Sequence, residues 1–600
     1  MGSLSELQYL SIEDNLFYGV VKEVHLANFT RLIDFFASRN QLTLNVGPNW
    51  RPSFQFLREL EMESWNLGPS FPSWLQSLKH LSYLDISNNT IFESIPTWFW
   101  GTFNTAYFFN LSQNYINGEL PNIVMNSNIS GVYVDLSWNK MSGQLPYLSP
   151  YVAYLDLSSN QFSGSITHFL CTEQDEPKSL EFLNLASNNL SGEIPDCWMM
   201  WPYISMLKLE NNYFTWNLPT SMGSLAFLEM LHLRNNNFSG KFPAILRNSR
   251  KLISLDLSEN QFSGVIPSWI GQSLLNLKIL KLASNRFSGT IPHQICDMSL
   301  LHILDLAQNN LTGNIPKCVN HLSAMLIINT SSESYISCEG NETSSVVEVL
   351  LLLKGRVDHY KSILGLVTSI DLSGNKLSGR IPSEITSLKG LRFLNLSNNL
   401  LSGQIPQSIG DMESLLSMDF SRNKLSGEIP PSMSKLSFLG LLNLSYNNLK
   451  GKIPTATQLQ TFEASSFVGN DLCGIPLTID CITNGVDHND KEVDHKNGIN
   501  WFFVSMALGF VVGFWGVVGP LLYSRSWRHA YFGFIDDLWF KIRLDILLML
   551  SLPKSPAQTS SSNTITVFGG DSGRRFGGCR YWFRRKCCVQ CTTYNMYGLL

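Results

Sequence analysis

One pattern of residues, L-x-x-L-x-L-x-x-N-x-L-x-G-x-I-P, recurs along the chain at an almost constant spacing, and it limits the possible folds more than any other feature. Leu228 to Pro243 is one copy. The asparagines of four successive copies, Asn236, Asn260, Asn285 and Asn309, are 24, 25 and 24 positions apart. A period of this length predicts a solenoid of stacked coils, because one coil cannot bury its apolar face without neighbours on both sides.

Each position of the pattern has a physical interpretation. Leu231 and Leu233 alternate with polar residues, which predicts a short strand with one buried face, and strands of successive coils would stack as a parallel sheet. Asn236 lies where the chain turns off the strand, so its amide can satisfy backbone groups of the turn and of the next coil. Gly240 allows a conformation that a Cβ disfavours, and Pro243 sets the next extended step. We therefore predict a structural column of asparagines.

The copies predict about seventeen coils, enough for a stable array. The key asparagine or its equivalent recurs at Asn15, Asn40, Trp65, Asn89, Asn114, Asn139, Asn160, Asn188, Asn212, Asn236, Asn260, Asn285, Asn309, Asn375, Asn399, Asn423 and Asn447. The interval of 66 between Asn309 and Asn375 is one period plus an insertion. The first coil begins at Leu7 without a leader or capping segment, so we expect the N-terminal part of the array to be missing.

Several coils have the Leu-Ser-Gly-x-Ile-Pro half that is typical of the plant-type leucine-rich repeat, as at Leu190 to Pro195 and Leu377 to Pro382. Over residues 1 to about 540 the chain resembles the plant leucine-rich-repeat receptor-like proteins, specifically the class of ethylene-inducing-xylanase receptors. Further stretches that carry the resemblance are 45–50, 67–72, 365–371, 425–430 and 527–531. The resemblance implies a solenoid of β-strand and 3-10 helix with its parallel strands on the concave face, followed by a single C-terminal transmembrane helix.

We divide the chain on this basis. The predicted segments are leucine-rich repeats at 1–318, an island insert at 319–361, the last four repeats at 362–462, a C-terminal cap at 463–481, an acidic juxtamembrane spacer at 482–500, a transmembrane helix at 501–523 and a short cytoplasmic tail at 524–600. Lys354, Gly355 and Tyr360 resemble a motif of the family's island domain.

The predicted membrane span, 501–523, is an apolar run of 23 residues without a charge, long enough to cross a bilayer. Basic residues follow it and an acidic stretch precedes it, which predicts a single-pass plasma-membrane protein with its N-terminal side outside the cell. Ser505, Gly509 and Gly513 recur every four residues and would let another helix approach closely. The resemblance implies that a kinase partner uses such a face, and packing without a specific partner is the alternative.

The 77 residues after the span are too few for a kinase domain. We expect signalling to pass through membrane-bound leucine-rich-repeat receptor kinases, as adaptor and co-receptor. Tyr531 and Phe534 have the spacing of an endocytic signal, although a four-residue motif carries little information.

Cysteines and sequons indicate export to an oxidising compartment. Cys171 with Cys197, and Cys296 with Cys318, lie about one coil apart and could each form a disulfide, with Cys338 as an alternative partner of Cys318. The resemblance implies that Cys473 and Cys481 staple the C-terminal cap. Candidate glycosylation sites are Asn28, Asn88, Asn110, Asn128, Asn189, Asn237, Asn310, Asn329, Asn341, Asn395 and Asn443, although Asn-Leu-Ser also arises from the repeat itself.

Six charged or polar residues of neighbouring coils interrupt an otherwise uniform set of solvent-facing strand positions. They are Lys208, Glu210, His232, Arg234, Asp256 and Lys281. We predict that they form a continuous patch on the concave face, and that this patch and the insert recognise the ligand. The alternative is cross-strand ion pairing that only solvates the surface.

Charge and motifs exclude several other functions. A net charge of −4 argues against a nucleic-acid partner. The chain has no H-E-x-x-H zinc motif and no G-x-x-x-x-G-K-[ST] phosphate loop, so we expect neither catalysis nor a cofactor or metal. The resemblance implies an immune receptor for an extracellular, microbial protein or peptide; a developmental peptide-receptor subunit and a truncated, non-functional paralogue remain alternatives.

Overall fold

The computed structural model describes residues 5–126, 131–171, 177–326, 337–339, 344–346, 349–353, 356–360, 366–455, 457–479, 481 and 566–567. A solenoid runs through them, and its inner strands form one parallel sheet. In chain order these strands are Tyr9–Ser11, Asp34–Phe36, Glu59–Glu61, Tyr83–Asp85, Phe108–Asn110, Val132–Asp135, Val152–Asp156, Phe182–Asn184, Met206–Lys208, Met230–His232, Ser254–Asp256, Ile279–Lys281, Ile303–Asp305, Ser369–Asp371, Phe393–Asn395, Ser417–Asp419 and Leu441–Asn443. We number the coils 1 to 17 after these strands. Their regular stacking confirms the predicted repeat architecture.

A second parallel sheet of 14 strands lies on one flank of the solenoid, and the sequence analysis did not predict it. Apart from the first, Asn117–Glu119, each strand begins just after an asparagine that ends the preceding turn and buries its second residue, as Phe238 and Phe262 do. These strands are Asn117–Glu119, Lys140–Gly143, Gln161–Gly164, Asn189–Glu193, Tyr213–Trp216, Asn237–Lys241, Gln261–Val265, Arg286–Thr290, Asn310–Gly313, Lys376–Gly379, Leu400–Gly403, Lys424–Gly427, Asn448–Lys452 and Asp471–Cys473. Coils 1 and 2 contribute a separate parallel pair, Tyr18–Lys22 and Gln41–Asn45.

Short helices complete the coils on the convex side. The α-helical turns are Glu23–Leu26, Trp98–Thr102, Thr167–Leu170, Ile270–Ser273 and Thr457–Gln460. The 3-10 turns are Ser73–Ser77, Trp198–Met200, Thr220–Ser224, Ala244–Asn248, His293–Asp297, Lys317–His321, Ser323–Met325, Ser383–Ser387, Ile409–Asp411, Pro431–Lys435 and Ala464–Ser466. Four-residue turns cannot be stable alone, so the shared core must hold them in place.

One apolar core runs through the stack of coils. Leu231 and Leu233 are fully buried, as the strand pattern predicted. The same core includes Leu322 and Met325, so coil 13 continues beyond residue 318, where we had placed the start of the insert. At the other end, Phe467 belongs to this core too and closes it behind coil 17.

The asparagine column confirms the structural role that we predicted, with one correction. The Nδ2 of Asn236 donates to the carbonyls of Leu233 and Leu209, at 3.2 and 3.0 Å, and its Oδ1 accepts from the Phe214 N–H at 3.0 Å. Leu209 and Phe214 belong to the preceding coil, not to the next one. In coil 3 the Trp65 Nε1–H takes over this bond and donates to the Ala37 carbonyl at 2.7 Å.

The residue before the column asparagine adopts a left-handed conformation in coil after coil. Trp138, Asn235 and Glu259 have φ values of 54°, 55° and 54°. Residues other than glycine rarely adopt this conformation. Here a bond to the following coil stabilises it, because the N–H of Asn235 donates to the Ser258 carbonyl at 3.0 Å.

Three disulfides form as the sequence indicated. Cys171 pairs with Cys197, Cys296 with Cys318, and Cys473 with Cys481, with Cα–Cα distances of 5.4, 5.7 and 5.2 Å. Because Cys318 is bonded to Cys296, the alternative pairing of Cys318 with Cys338 is excluded.

Two antiparallel hairpins come from the insert region: Ser337–Glu339 with Ser344–Val346, and Val349–Leu353 with Arg356–Tyr360. A further short strand, Thr566–Val567, pairs antiparallel with Tyr9–Ser11 at the open edge of the inner sheet. Among the described residues, no helix has the length and apolar character needed to cross a membrane. The predicted span 501–523 lies outside them.

Candidate ligand-binding surface

The concave face presents two columns of side chains, because the middle residue of each inner strand points into the core. The apolar column comprises the residue before each buried middle position, from Tyr83 in coil 4 to Ile303 in coil 13, with Ser254 in coil 11 as a polar exception. The polar column comprises the residue after it, from Asp85 in coil 4 to Asn443 in coil 17. Any partner in the concavity would meet these columns first.

Stacked aromatic rings form the first half of the apolar column. The ring centroids of Tyr83, Phe108, Tyr133, Tyr154 and Phe182 follow one another at 4.1, 4.6, 3.9 and 4.1 Å. Neighbouring strands are about 4.8 Å apart, which suits offset stacking of rings at equivalent positions.

The column continues as a second apolar cluster, apart from the main core, whose buried members are Phe182, Met206, Met230, Ile279, Ile303 and Val367. The sequence analysis missed it because we compared only the polar strand positions. The recurrent aromatic or aliphatic residue immediately before the core leucine would have revealed it.

Much of the polar column is satisfied by bonds between its own members. The Asn110 Nδ2 donates to Asp85 Oδ2 at 2.9 Å, and the Asn395 Nδ2 donates to Asp371 Oδ2 at 3.1 Å. Within a coil, the Ser373 hydroxyl and N–H both donate to Asp371 Oδ1, at 2.6 and 3.0 Å. These contacts explain why the Asp-x-Ser and Asn-x-Ser patterns recur at these positions, and the explanation does not require a ligand.

The six predicted ligand-binding residues are brought together on coils 9 to 12, but they are not the uniformly exposed patch that we expected. His232, Asp256 and Lys281 are buried, with 4%, 5% and 5% of their surface exposed, so their predicted solvent exposure is wrong. Adjacent strands bring these side chains close enough to bond. The Lys281 Nζ lies 3.3 Å from Asp256 Oδ2. A hydrogen bond of 2.8 Å joins His232 Nε2 and the Ser254 hydroxyl.

The other three predicted residues remain partly accessible. Lys208, Glu210 and Arg234 are half-buried. Arg234 Nη2 lies 2.6 Å from Glu259 Oε1 in the next coil, and the side chain of Glu259 is 40% exposed. The cross-strand pairing that we kept as an alternative is therefore present, and it leaves these half-buried groups at the accessible part of the surface.

Burial controls the protonation of this network. It raises the pKa of Glu210 to about 7 and lowers the pKa of His232 to about 3. Between about pH 4 and pH 7 both groups are therefore mainly neutral, and their 4.0 Å separation is not an ion pair. Burial also opposes ionisation of Asp256, but the Lys281 ammonium and other neighbours, among them Ser258, together outweigh it, and the pKa of Asp256 falls below its usual value.

A second acidic position lies next to this network. Burial and the neighbouring Asp371 carboxylate together raise the pKa of Asp305 to about 7. The two carboxylates face each other across paired strands. Among the described residues there is no group of three or more histidine, cysteine or acidic side chains placed to hold a metal.

The structure sorts the candidate glycosylation sites into three sets. Asn28, Asn88, Asn189, Asn237 and Asn310 are exposed. Asn110, Asn395 and Asn443 belong to the polar column, where each amide donates to the aspartate of the preceding coil. Asn128, Asn329 and Asn341 lie outside the described residues.

Several other predicted functional residues also lie outside the part of the chain that the structure describes. They are Lys354 and Gly355 of the island motif, Ser505, Gly509 and Gly513 of the transmembrane face, and Tyr531 and Phe534 of the endocytic motif. Tyr360 ends the strand Arg356–Tyr360 and is paired with Val349.

Comparison with known proteins supports the repeat interpretation. The family described as leucine rich repeat matches residues 250–311 under one definition, and 80–102, 179–201, 227–249, 366–388, 390–412 and 414–436 under another. The chain is 46% identical over 535 residues to the tomato (Solanum lycopersicum) "Receptor-like protein EIX2", an alignment that covers 87% of this chain and 52% of the relative. The chain thus spans about half the length of the curated relatives it matches.

Solved structures of other leucine-rich solenoids share the fold. The complex of PEPR1 with AtPEP1 is similar with a TM-score of 0.55 and 27% identity, over 79% of this chain and 70% of that one. The Arabidopsis receptor kinase HAESA, solved with the peptide hormone IDA and the co-receptor SERK1, is similar with a TM-score of 0.51 and 25% identity, over 78% of this chain and 87% of that one.

Proposed function

Because the chain belongs to the plant leucine-rich-repeat receptor-like proteins, we propose that it is a cell-surface receptor without a kinase domain that binds an extracellular protein or peptide. The ligand we propose is microbial, and the response is innate immunity through partner receptor kinases. No catalytic step is part of this role. Transfer of phosphate by the purified chain, lost on a single substitution within it, would contradict the non-catalytic proposal.

The observation that carries this proposal is the continuous concave surface of 17 coils, with a partly accessible charged group at its middle. The structurally similar PEPR1 was solved with AtPEP1, and HAESA with the peptide hormone IDA. A parallel array of strands displays side chains at regular intervals, so an extended or folded polypeptide can contact many coils at once. This surface therefore suits a macromolecular ligand better than a small molecule.

Within this surface we place ligand contact at Lys208, Glu210 and Arg234. The buried trio of His232, Asp256 and Lys281 would support this surface from below, and His232 Nδ1 lies 4.0 Å from Glu210 Oε1. The insert, including the island motif at Lys354, Gly355 and Tyr360, is proposed as a second region of contact. This assignment retains the six predicted residues and divides them between accessible and supporting roles.

The test is binding of a labelled fungal xylanase to plant cells that express the full chain with an extracellular tag. Arg234→Glu should lower bound xylanase at least tenfold, because it places like charges opposite Glu259 and inverts the accessible cation. Arg247→Glu is the matched control, since Arg247 is exposed on the convex helix Ala244–Asn248 of the same coil. Equal binding by both variants at equal surface expression, together with unchanged binding after deletion of the insert, would refute the proposed site.

We propose that residues 501–523 span the plasma membrane and that the Ser505, Gly509 and Gly513 face pairs with a membrane-bound kinase. Gly509→Leu with Gly513→Leu should reduce co-purification of a receptor kinase, because leucine prevents close helix approach. Leucine replacements on the opposite helix face are the control, and unchanged recovery of the kinase would contradict the idea. This topology and the pairing of Thr566–Val567 with the first inner strand exclude each other, so protease protection of the tail in sealed vesicles decides between them.

A developmental peptide is the second candidate ligand. The observation that favours it is that the structurally similar HAESA was solved with the peptide hormone IDA. The same cells, exposed to a synthetic plant peptide hormone instead of xylanase, separate the two candidates. Surface expression without binding of either probe would favour a non-functional paralogue.

A further inference from the structure

Coil 9 departs from its neighbours at the fourth residue after its column asparagine. Coils 8 and 10 have Gly192 and Gly240 there, with φ values of 87° and 90°, whereas coil 9 has Trp216 with φ 66°. A bulky residue in this left-handed region is an outlier that carries backbone strain. The indole is also 63% exposed, so apolar burial does not offset the strain. Strain of this kind, held on a surface, suggests a functional contact.

An exposed sequon lies directly beside this tryptophan. In the outer sheet, Thr215 is paired with Asn237, and Trp216 is paired with Phe238. Asn237 begins Asn-Phe-Ser, is exposed, and points away from the core because Phe238 is fully buried. Tyr213 on the same strand is 57% exposed. The Trp216 ring thus belongs to the strand next to Asn237, one residue along from the residue that pairs with Asn237, and neighbouring strands lie about 4.8 Å apart.

We propose that Asn237 carries an N-linked glycan and that the Trp216 indole is the platform on which its first N-acetylglucosamine packs. The axial C–H groups of a pyranose carry partial positive charge, and the indole face is negative, so the two surfaces attract while water is excluded between them. This inference rests on the proposed function only in requiring that the repeats pass through the secretory pathway.

The modification is a glycosyl transfer from a lipid-pyrophosphate-linked oligosaccharide, supplied by the secretory pathway. The Asn237 amide nitrogen forms a bond to the anomeric carbon and loses one proton. The bond from that carbon to the pyrophosphate oxygen breaks, and the lipid pyrophosphate leaves with the electron pair. No oxidant or reductant takes part.

Asn310 provides a matched control inside the same chain. It begins Asn-Leu-Thr, is exposed, and occupies the same position of its coil. Its strand neighbours are Ser288, which pairs with Asn310, and Gly289, which pairs with Leu311. Gly289 therefore stands where Trp216 stands beside Asn237, and a glycan at Asn310 has no ring at that position.

The experiment expresses the full chain through the secretory pathway of plant cells whose glycans are held in the high-mannose form. Glycopeptide mass spectrometry measures occupancy at Asn237 and Asn310. Melting temperature is then compared for four chains: unchanged, Asn237→Gln, Trp216→Gly and the double variant. A parallel set replaces Asn237→Gln with Asn310→Gln.

We expect Asn237 to be occupied, and Asn237→Gln to lower the melting temperature by about 1–2 °C only when Trp216 is present. In the Asn237→Gln background, Trp216→Gly should raise it, because glycine relieves the strain. An endoglycosidase that leaves one N-acetylglucosamine on the asparagine should preserve the stabilisation, whereas an amidase that removes the whole glycan should abolish it. Asn310→Gln should have the same effect with or without Trp216.

Three results would overturn the inference, and they separate it from the proposed function. If Asn310 carries a glycan and Asn237 does not, the proposed glycan at Asn237 is rejected, but export of the protein is still supported. An equal effect of Asn237→Gln in both backgrounds rejects the role of Trp216. Absence of sugar from every sequon rejects export, and with it both this inference and the proposed extracellular role.

Discussion

Replacing Glu210 with glutamine should make the protein more stable at high pH and leave it unchanged at low pH. Burial raises the pKa of this carboxyl from 4.5 to about 7. Among the described residues its buried Oε2 has no hydrogen-bond partner. The folded protein therefore holds the proton more tightly than the unfolded chain, and ionisation favours unfolding.

The magnitude follows from the shift. A difference of about 2.5 pKa units corresponds to about 3 kcal/mol, because each unit is about 1.4 kcal/mol. A raised carboxyl pKa gives a contribution that is fully present below about pH 4.5 and is lost as pH rises to about 7. Glutamine cannot ionise, so the advantage of Glu210→Gln should be near zero at pH 4.5, about 2 kcal/mol at pH 6 and about 3 kcal/mol above pH 7.

The assay is the melting temperature of the full-length protein and of Glu210→Gln from pH 4.5 to pH 8.5. For an array of this length, about 3 kcal/mol corresponds to about 3 °C. Glu259→Gln is the control, since it breaks only the partly exposed contact with Arg234 and should cost less than about 1 kcal/mol. A shift for Glu210→Gln that is the same at pH 5 and pH 8.5 would refute the reasoning.

Three further predictions concern the scaffold. Asn236→Ala should destabilise by about 2–4 kcal/mol, measured by denaturant unfolding, because backbone groups of the preceding coil lose buried partners. Cys171→Ser with Cys197→Ser, whose disulfide closes a separation of 26 residues, should cost about 3–4 kcal/mol in the same assay. Gly271→Ala should destabilise by at least about 2 kcal/mol because its Cβ would lie 1.6 Å from a backbone carbonyl oxygen. Gly101→Ala, with nothing within 4 Å, should instead be neutral or slightly stabilising.

The scaffold was predictable because its constraints are local and repeated. Each coil must place the same leucines, asparagine and glycine, so the period alone defines the inner sheet and the asparagine column. The Cys171–Cys197 pair follows from the same register, since residues one coil apart are spatial neighbours. Even Trp65 was located correctly as an asparagine equivalent, although the sequence did not predict the hydrogen bond from its indole N–H to the Ala37 carbonyl.

The candidate site was less predictable because its properties arise between coils. Whether Asp256 is exposed depends on how closely Lys281 of the next coil approaches it. The order of residues along the strands does not give the distance between these two side chains. The stacking of Tyr133 on Tyr154 likewise appears only after the strands are brought into register. The outer sheet was missed for a related reason: the residues after the column asparagine alternate over too few positions to distinguish a strand from a turn.

The distribution of exposed sequons limits how a ligand can approach the concave site. Asn189, Asn237 and Asn310 each begin an outer strand, so glycans there would extend from the flank that carries the second sheet. The sequons of the polar column donate their amides to aspartates, and a glycan at those positions would break that column. With glycans at these three asparagines, a large ligand that contacts Lys208 and Arg234 would enter through the concave opening or from the opposite flank. A partner kinase that shares this ligand would be restricted to the same side, so substitutions on the flank opposite the second sheet should separate ligand binding from complex formation.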